Sequence, residues 1–176
     1  MAIIGVMGSG QSAWEAFANP LGIWIAQNGH DLLTGGGDGV MLAVSRAFAA
    51  TPGRLGRCIG VVPTQADATH GFVALQGYPN PFVDLPILTP LPKREASAPP
   101  GSLSRNYINI LTSVVVVALP GSAGTLDEIG LALRFAKPVM CFGPADAFSA
   151  VPDEVKKSAQ LDEVTTFILA ALANRY

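Results

Sequence analysis

The stretch with the most chemical potential is Leu119-Pro120-Gly121-Ser122-Ala123-Gly124-Thr125-Leu126-Asp127-Glu128. It follows an apolar run at 114–119 and leads into a helical pattern at 126–136. A glycine turn between strand and helix leaves the first helical N–H groups unpaired, at the positive pole of the helix dipole. A phosphate placed there would take hydrogen bonds from the amides of residues 121–125, assisted by the Thr125 hydroxyl. Thr125 and Glu128 admit a second reading, because Thr-x-x-Glu is also a capping box in which each side chain bonds the other's backbone N–H. Two more glycine turns fall at strand ends. Gly8-Ser9-Gly10-Gln11-Ser12-Ala13 fits the G-x-G-x-x-A form of a dinucleotide turn, but no acidic residue closes the second strand as that use requires. A plain strand-to-helix turn is the alternative. Thr34-Gly35-Gly36-Gly37-Asp38-Gly39-Val40-Met41 sets three consecutive glycines before a helix. Their entropic cost makes sense where backbone approaches a ligand, or another strand, closely.

The elements that must hold these turns alternate along the chain. Strands are predicted at 2–7, 31–34, 58–62, 114–119 and 138–142, with an edge or irregular strand at 82–88 that follows Pro81 and contains Pro86. Helices are predicted after Gly10, broken at Asn19-Pro20, and then at 40–50, 102–113, 126–136, 153–159 and 162–174. Residues 64–80 and 89–101 read as loops. The valine run is apolar throughout and should be central, covered on both faces. This pattern predicts one α/β domain over 1–176, a three-layer Rossmann-like fold with a mostly parallel sheet and helices on both faces. Ligands of such sheets bind beyond the carboxyl ends of the strands, where the three glycine turns fall.

Composition narrows the function. Lys and Arg number 11 against 13 Asp and Glu, a net charge of −2. That balance argues against a nucleic-acid surface. Charged residues make up 14% and hydrophobic ones 49%, which points to a surface partly buried against a copy of the chain. The apolar runs fall well short of the roughly 20 residues a membrane span needs. No basic residue precedes the first apolar stretch, so a cytoplasmic protein is expected rather than an exported one. Cys58 and Cys141 read as buried free thiols, and His30 and His70 have no partner at metal-ligand spacing. Trp14 and Trp24 read as core or subunit-interface residues rather than as stacking platforms. Lys93 and Arg94, beside Glu95, read either as solvated loop charges or as a lid over an anionic ligand.

Residues 34–41 together with 120–128 resemble the LOG phosphoribohydrolases, which activate cytokinins and were long carried under a lysine decarboxylase label. That family has GGG-x-GxM-like and PGG-x-GT-x-x-E motifs, with an arginine on the helix before the second, where this chain has Ser104-Arg105-Asn106. No lysine here stands in a setting for a pyridoxal Schiff base, so the decarboxylase label is set aside. The resemblance runs from the first strand to about Phe142. It implies hydrolysis of a nucleoside 5′-monophosphate to free base and ribose 5-phosphate, with no cofactor. Glu128 would stabilise an oxocarbenium-like state, and Arg105 would hold phosphate or ribose oxygens and keep Glu128 ionised. Gly8, Ser9, Gly35, Gly36, Gly37, Gly39, Met41, Asn106, Pro120, Gly121, Ser122, Ala123, Gly124 and Thr125 would form the ligand cradle. Two residues depart from the family pattern, Ser122 for the second glycine of PGG and Asn106 for the usual lysine. The stretches Ile4-Gly5-Val6-Met7-Gly8 and Ser104-Arg105-Asn106 are similar to the molybdenum cofactor carrier proteins instead. That branch implies a non-catalytic carrier of a phosphorylated pterin, or a nucleotide sensor, with Asn106 bonding a base or pterin edge. Either branch implies a homodimer.

Overall fold

The structure is a computed structural model that describes residues 1–93, 99 and 102–174. Its centre is an eight-stranded sheet. β1 (Ile3–Met7) lies between β2 (Asp31–Thr34) and β6 (Val115–Ala118), parallel to both. Outward from β2 comes β3 (Cys58–Asp67), whose first half pairs in parallel with β5 (Leu85–Thr89) and whose second half forms a hairpin with β4 (Gly71–Ala74). Outward from β6 come β7 (Val139–Phe142) and β8 (Lys156–Ser158), both parallel. The fold is therefore α/β and Rossmann-like, with an antiparallel hairpin as its one exception.

Alternation along β1 and β6 divides the core. Ile4, Val6, Val115 and Val117 face α1 (Glu15–Gln27), α2 (Val40–Ala49) and α5 (Leu161–Ala173). Met7, Val116 and Ala118 face the layer of α3 (Asn106–Thr112) and α4 (Ala123–Arg134). Every residue of β6 is buried, as a central strand covered on both faces requires. Gly5 lets the chain entering β6 come close, because a Cβ there would collide with the Ser113 side chain.

Several boundaries differ from the sequence expectation, each for a local reason. Asn19-Pro20 does not break α1, because the Trp14 carbonyl accepts from both Phe17 and Ala18 and starts the helix a turn earlier. Residues 64–67 and 71–74, expected as loop, are strand, because β3 runs on to Asp67 and folds back through a turn at 68–70 into β4. A helix expected at 153–159 is replaced by the short edge strand β8, and the helical turn lies earlier, at Ala145–Phe148. The Ser102–Ser113 segment is helical only from Asn106, so Arg105 is the N-cap of α3. Arg94 and Glu95 lie outside the described residues. Cys58 and Cys141 are buried free thiols. Among the described residues no helix is long and apolar enough to cross a membrane.

Candidate functional site

The turns after β1, β2 and β6 meet at the carboxyl ends of the strands. Ser9 joins them: its N–H donates to Pro120 O at 3.1 Å, its carbonyl accepts from Val40 N–H at 2.9 Å, and its Oγ accepts from Gln11 and Ser12 N–H. Above them opens a cleft of about 850 Å³. Gly8, Ser9, Gly35, Met41, Arg105, Asn106, Glu128 and the run from Pro120 through Thr125 all line it.

Gly36, Gly37 and Gly39 stand outside that lining. Each lets the chain approach itself. Gly36 lies against Gly60, Gly37 lies under the Tyr78 ring, and Gly39 (φ 63°) lies against the Ser9 carbonyl. Gly36 and Gly39 thus allow the approach of neighbouring backbone, and Gly37 that of the Tyr78 ring. Asn80 fastens the segment carrying Tyr78 here, its N–H donating to Gly36 O at 2.7 Å and its Nδ2 to Gly37 O at 3.1 Å.

The first turn of α4 meets the requirements of an anion seat. Ser122 is an extended N-cap that makes no side-chain bond to the helix, and the first intrahelical donor is Leu126, to Ser122 O at 3.1 Å. The N–H groups of Ala123, Gly124 and Thr125 precede that donor and so lack a helical acceptor. The capping box does not form. Thr125 already lies inside the helix, with its side chain against Gly121, and Glu128 reaches across to α3.

That crossing uses a pair of amides. Asn109 Nδ2 donates to Glu128 Oε1 and Asn106 Nδ2 to Asp127 Oδ2, each at 3.0 Å. The two asparagines are a helical turn apart, so neighbouring carboxylates on α4 both find partners on α3. Asp127 is buried beside Glu128. Asn106 lines the cleft with its amide already engaged by Asp127 rather than free for a ligand edge.

Arg105 departs furthest from expectation. Its guanidinium donates to the carbonyls of Gly35 and Val61 and lies over Tyr78, 5.1 Å from the ring centroid. It is 5% exposed, and its Nε has no partner among the described residues. Burial lowers its pKa from the ordinary value. Its charge favours the ionised form of Glu128 but is not the largest influence on it. Burial raises the Glu128 pKa from 4.5 to about 7, against the pull of the Asn109 hydrogen bond and the Arg105 charge. Desolvation of the carboxylate outweighs both.

A testable pH dependence follows. Unfolded Glu128 releases its proton near 4.5, and folded Glu128 near 7. Between those values the folded state binds more protons, so stability falls as pH rises from 4.5 through 7. Full expression of the shift amounts to roughly 3 kcal/mol. Glu128→Gln keeps an acceptor for Asn109 and removes the proton. Urea midpoints measured across this range should decline in the wild type and stay flatter in the variant. Parallel curves would refute the assignment.

Two aromatic residues stand on the cleft wall where the sequence placed neither, Trp14 (expected in the core or an interface) and Tyr78. Trp14 was legible in principle, since it follows the Gly10 turn directly. Tyr78 carried no signal, because a segment read as loop delivers it. Lys93 stands at the same wall with Nζ 5.9 Å from the Tyr78 ring centroid.

A Rossmann-like sheet with a glycine-turn cleft over its central strands defines a LOG-like protein. The chain belongs to the SLOG cluster4 family, whose model matches residues 1–170. Among solved structures it is similar to the molybdenum cofactor carrier protein of Chlamydomonas reinhardtii, with 31% identity, 98% of each chain covered and a TM-score of 0.73. It is also similar to the molybdenum cofactor binding protein of Rippkaea orientalis, with 30% identity, 97% of each chain covered and a TM-score of 0.70. An uncharacterized protein of Archaeoglobus fulgidus is 30% identical over 143 residues, 80% of each chain.

Proposed function

We propose that this protein binds a phosphorylated pterin, the molybdenum cofactor, and carries it without cleaving it. The phosphate rests on the amides of Ala123, Gly124 and Thr125 with the helix dipole behind it. The pterin occupies the remaining cleft. The observation that carries this reading is the state of Arg105 and Glu128. The guanidinium is engaged by the Gly35 and Val61 carbonyls, and the carboxyl is neutral for much of the time near pH 7. A hydrolase that builds positive charge on a ribose needs a fixed carboxylate, and this one is held by a neutral amide. The similarity to two carriers of that cofactor supports the same conclusion.

Hydrolysis of nucleoside monophosphates keeps one observation in its favour. Glu128 lines the cleft, and a pKa near 7 suits a general acid or base. The test is to incubate the protein with AMP and N6-substituted adenosine monophosphates and to measure ribose 5-phosphate. The expected release is no greater than that of Glu128→Gln, while both proteins retain a pterin phosphate in equilibrium dialysis. Release by the wild type that Glu128→Gln abolishes would overturn the carrier reading.

A further inference from the structure

Trp14 has a backbone that a tryptophan seldom adopts. Its φ of 46° and ψ of 44° lie in the left-handed region, where a bulky L residue is strained and glycine or asparagine is at ease. It is the N-cap of α1 but makes no side-chain bond to the helix. The capping work is done by its carbonyl, which accepts from Phe17 and Ala18 N–H at 2.9 Å each. Nothing in that role calls for an indole. The conformation does bring the ring to the cleft wall, where it is half-buried. Phe17 braces it at 6.3 Å between centroids, and Phe17 is itself set edge-on to Phe142 at 5.1 Å. Among the described residues the indole N–H has no acceptor.

Elimination leads to the same residue. Trp14 and Tyr78 are the aromatic side chains among the described residues of the cleft wall. The Tyr78 ring is engaged by Arg105 at 5.1 Å and faces Lys93 at 5.9 Å. Among the described residues, Trp14 is the ring on this wall that no cation occupies. Backbone strain persists where the surroundings over-determine it, and it clusters where ligands are gripped.

We infer that Trp14 is the platform on which the planar heterocycle of the phosphorylated ligand stacks, so that the site prefers ring-bearing phosphates to ring-free ones. This rests on the ligand-binding reading above but not on which ring is bound. A stacking face accepts any planar heterocycle and ignores a bare sugar phosphate, while the amides of α4 treat the phosphates of both alike.

The experiment compares 6-hydroxymethylpterin monophosphate, AMP and ribose 5-phosphate by calorimetry. Trp14→Gly should weaken the ring-bearing ligand about tenfold or more, down to the level of ribose 5-phosphate, and leave ribose 5-phosphate binding unchanged. Trp14→Phe should retain part of the preference. A second measurement leaves Trp14 in place. Trp24→Phe makes Trp14 the sole tryptophan, and a bound ring ligand should quench its emission while ribose 5-phosphate should not. Equal weakening of all three ligands in Trp14→Gly would overturn the inference. So would emission that stays constant when calorimetry shows a ring ligand bound, or ring ligands that bind no tighter than ribose 5-phosphate. Trp14-dependent binding of AMP without binding of the pterin phosphate would support the platform and overturn the pterin assignment instead.

Discussion

Gly124→Val is expected to abolish phosphate binding and leave the fold intact. A Cβ at Gly124 would meet nothing within 4 Å, and the residue lines the cleft. The added methyl groups therefore occupy space in front of the Ala123, Gly124 and Thr125 amides rather than displacing protein. Helix propensity favours the change, because glycine is about 0.5–1 kcal/mol worse than alanine inside a helix and valine lies between them. Loss of two charge-assisted amide–phosphate bonds at about 1.5 kcal/mol each corresponds to roughly a hundredfold in affinity. Titration with ribose 5-phosphate, beside a thermal melt, checks both halves. Wild-type affinity in this variant would put the anion somewhere else. Gly121 would make a poor substitute for the experiment, since a Cβ there runs into the Thr125 side chain.

Arg105→Ala is expected to lower stability by about 3–5 kcal/mol, because it strands the buried carbonyl acceptors of Gly35 and Val61 and leaves a void beside Tyr78. Arg105→Lys should recover only part of the loss, since an ammonium does not reproduce the planar fork or the stacking on the ring. Urea denaturation measures both. Native stability in Arg105→Ala would mean that the two carbonyl bonds contribute little. The expected result also changes how activity data are read. Lost binding in this variant does not by itself identify a ligand contact, so Gly124→Val is the cleaner probe of the seat.

The sheet was legible because alternation of apolar runs and helical periods is a local property of the chain. The valine run announced a covered strand before any partner was known, and β6 is the inner neighbour of β1. The hairpin of β3 and β4 was hidden because its paired arms are short and largely exposed, Phe72 included, so no buried apolar period marks them. The placing of the glycine turns at the strand ends was legible from turn chemistry, and the first amides of α4 follow the Pro120–Ser122 turn. The partners of the charged residues were not. Thr125 and Glu128 have the spacing of a capping box, and only the packing of α3 on α4 brings Asn109 close enough to claim the carboxyl. Arg105 likewise finds its acceptors on β3 and on the turn after β2, far away along the chain. Trp14 packs against the core as its type suggested, but its place on the cleft wall was not legible, because propensity says nothing of a left-handed residue that is not glycine or asparagine.

The Ser9 junction bears on how this family can diversify. Each of the three turns uses another as its scaffold, through Ser9 to Pro120, Val40 to Ser9, and Gly39 against the Ser9 carbonyl. A mutation in one turn shifts the ground beneath the other two, so single replacements will be epistatic and accepted changes should arrive as matched sets. New ligand preferences are more readily acquired at the wall, through residues such as Trp14 and Lys93, than at the knot itself.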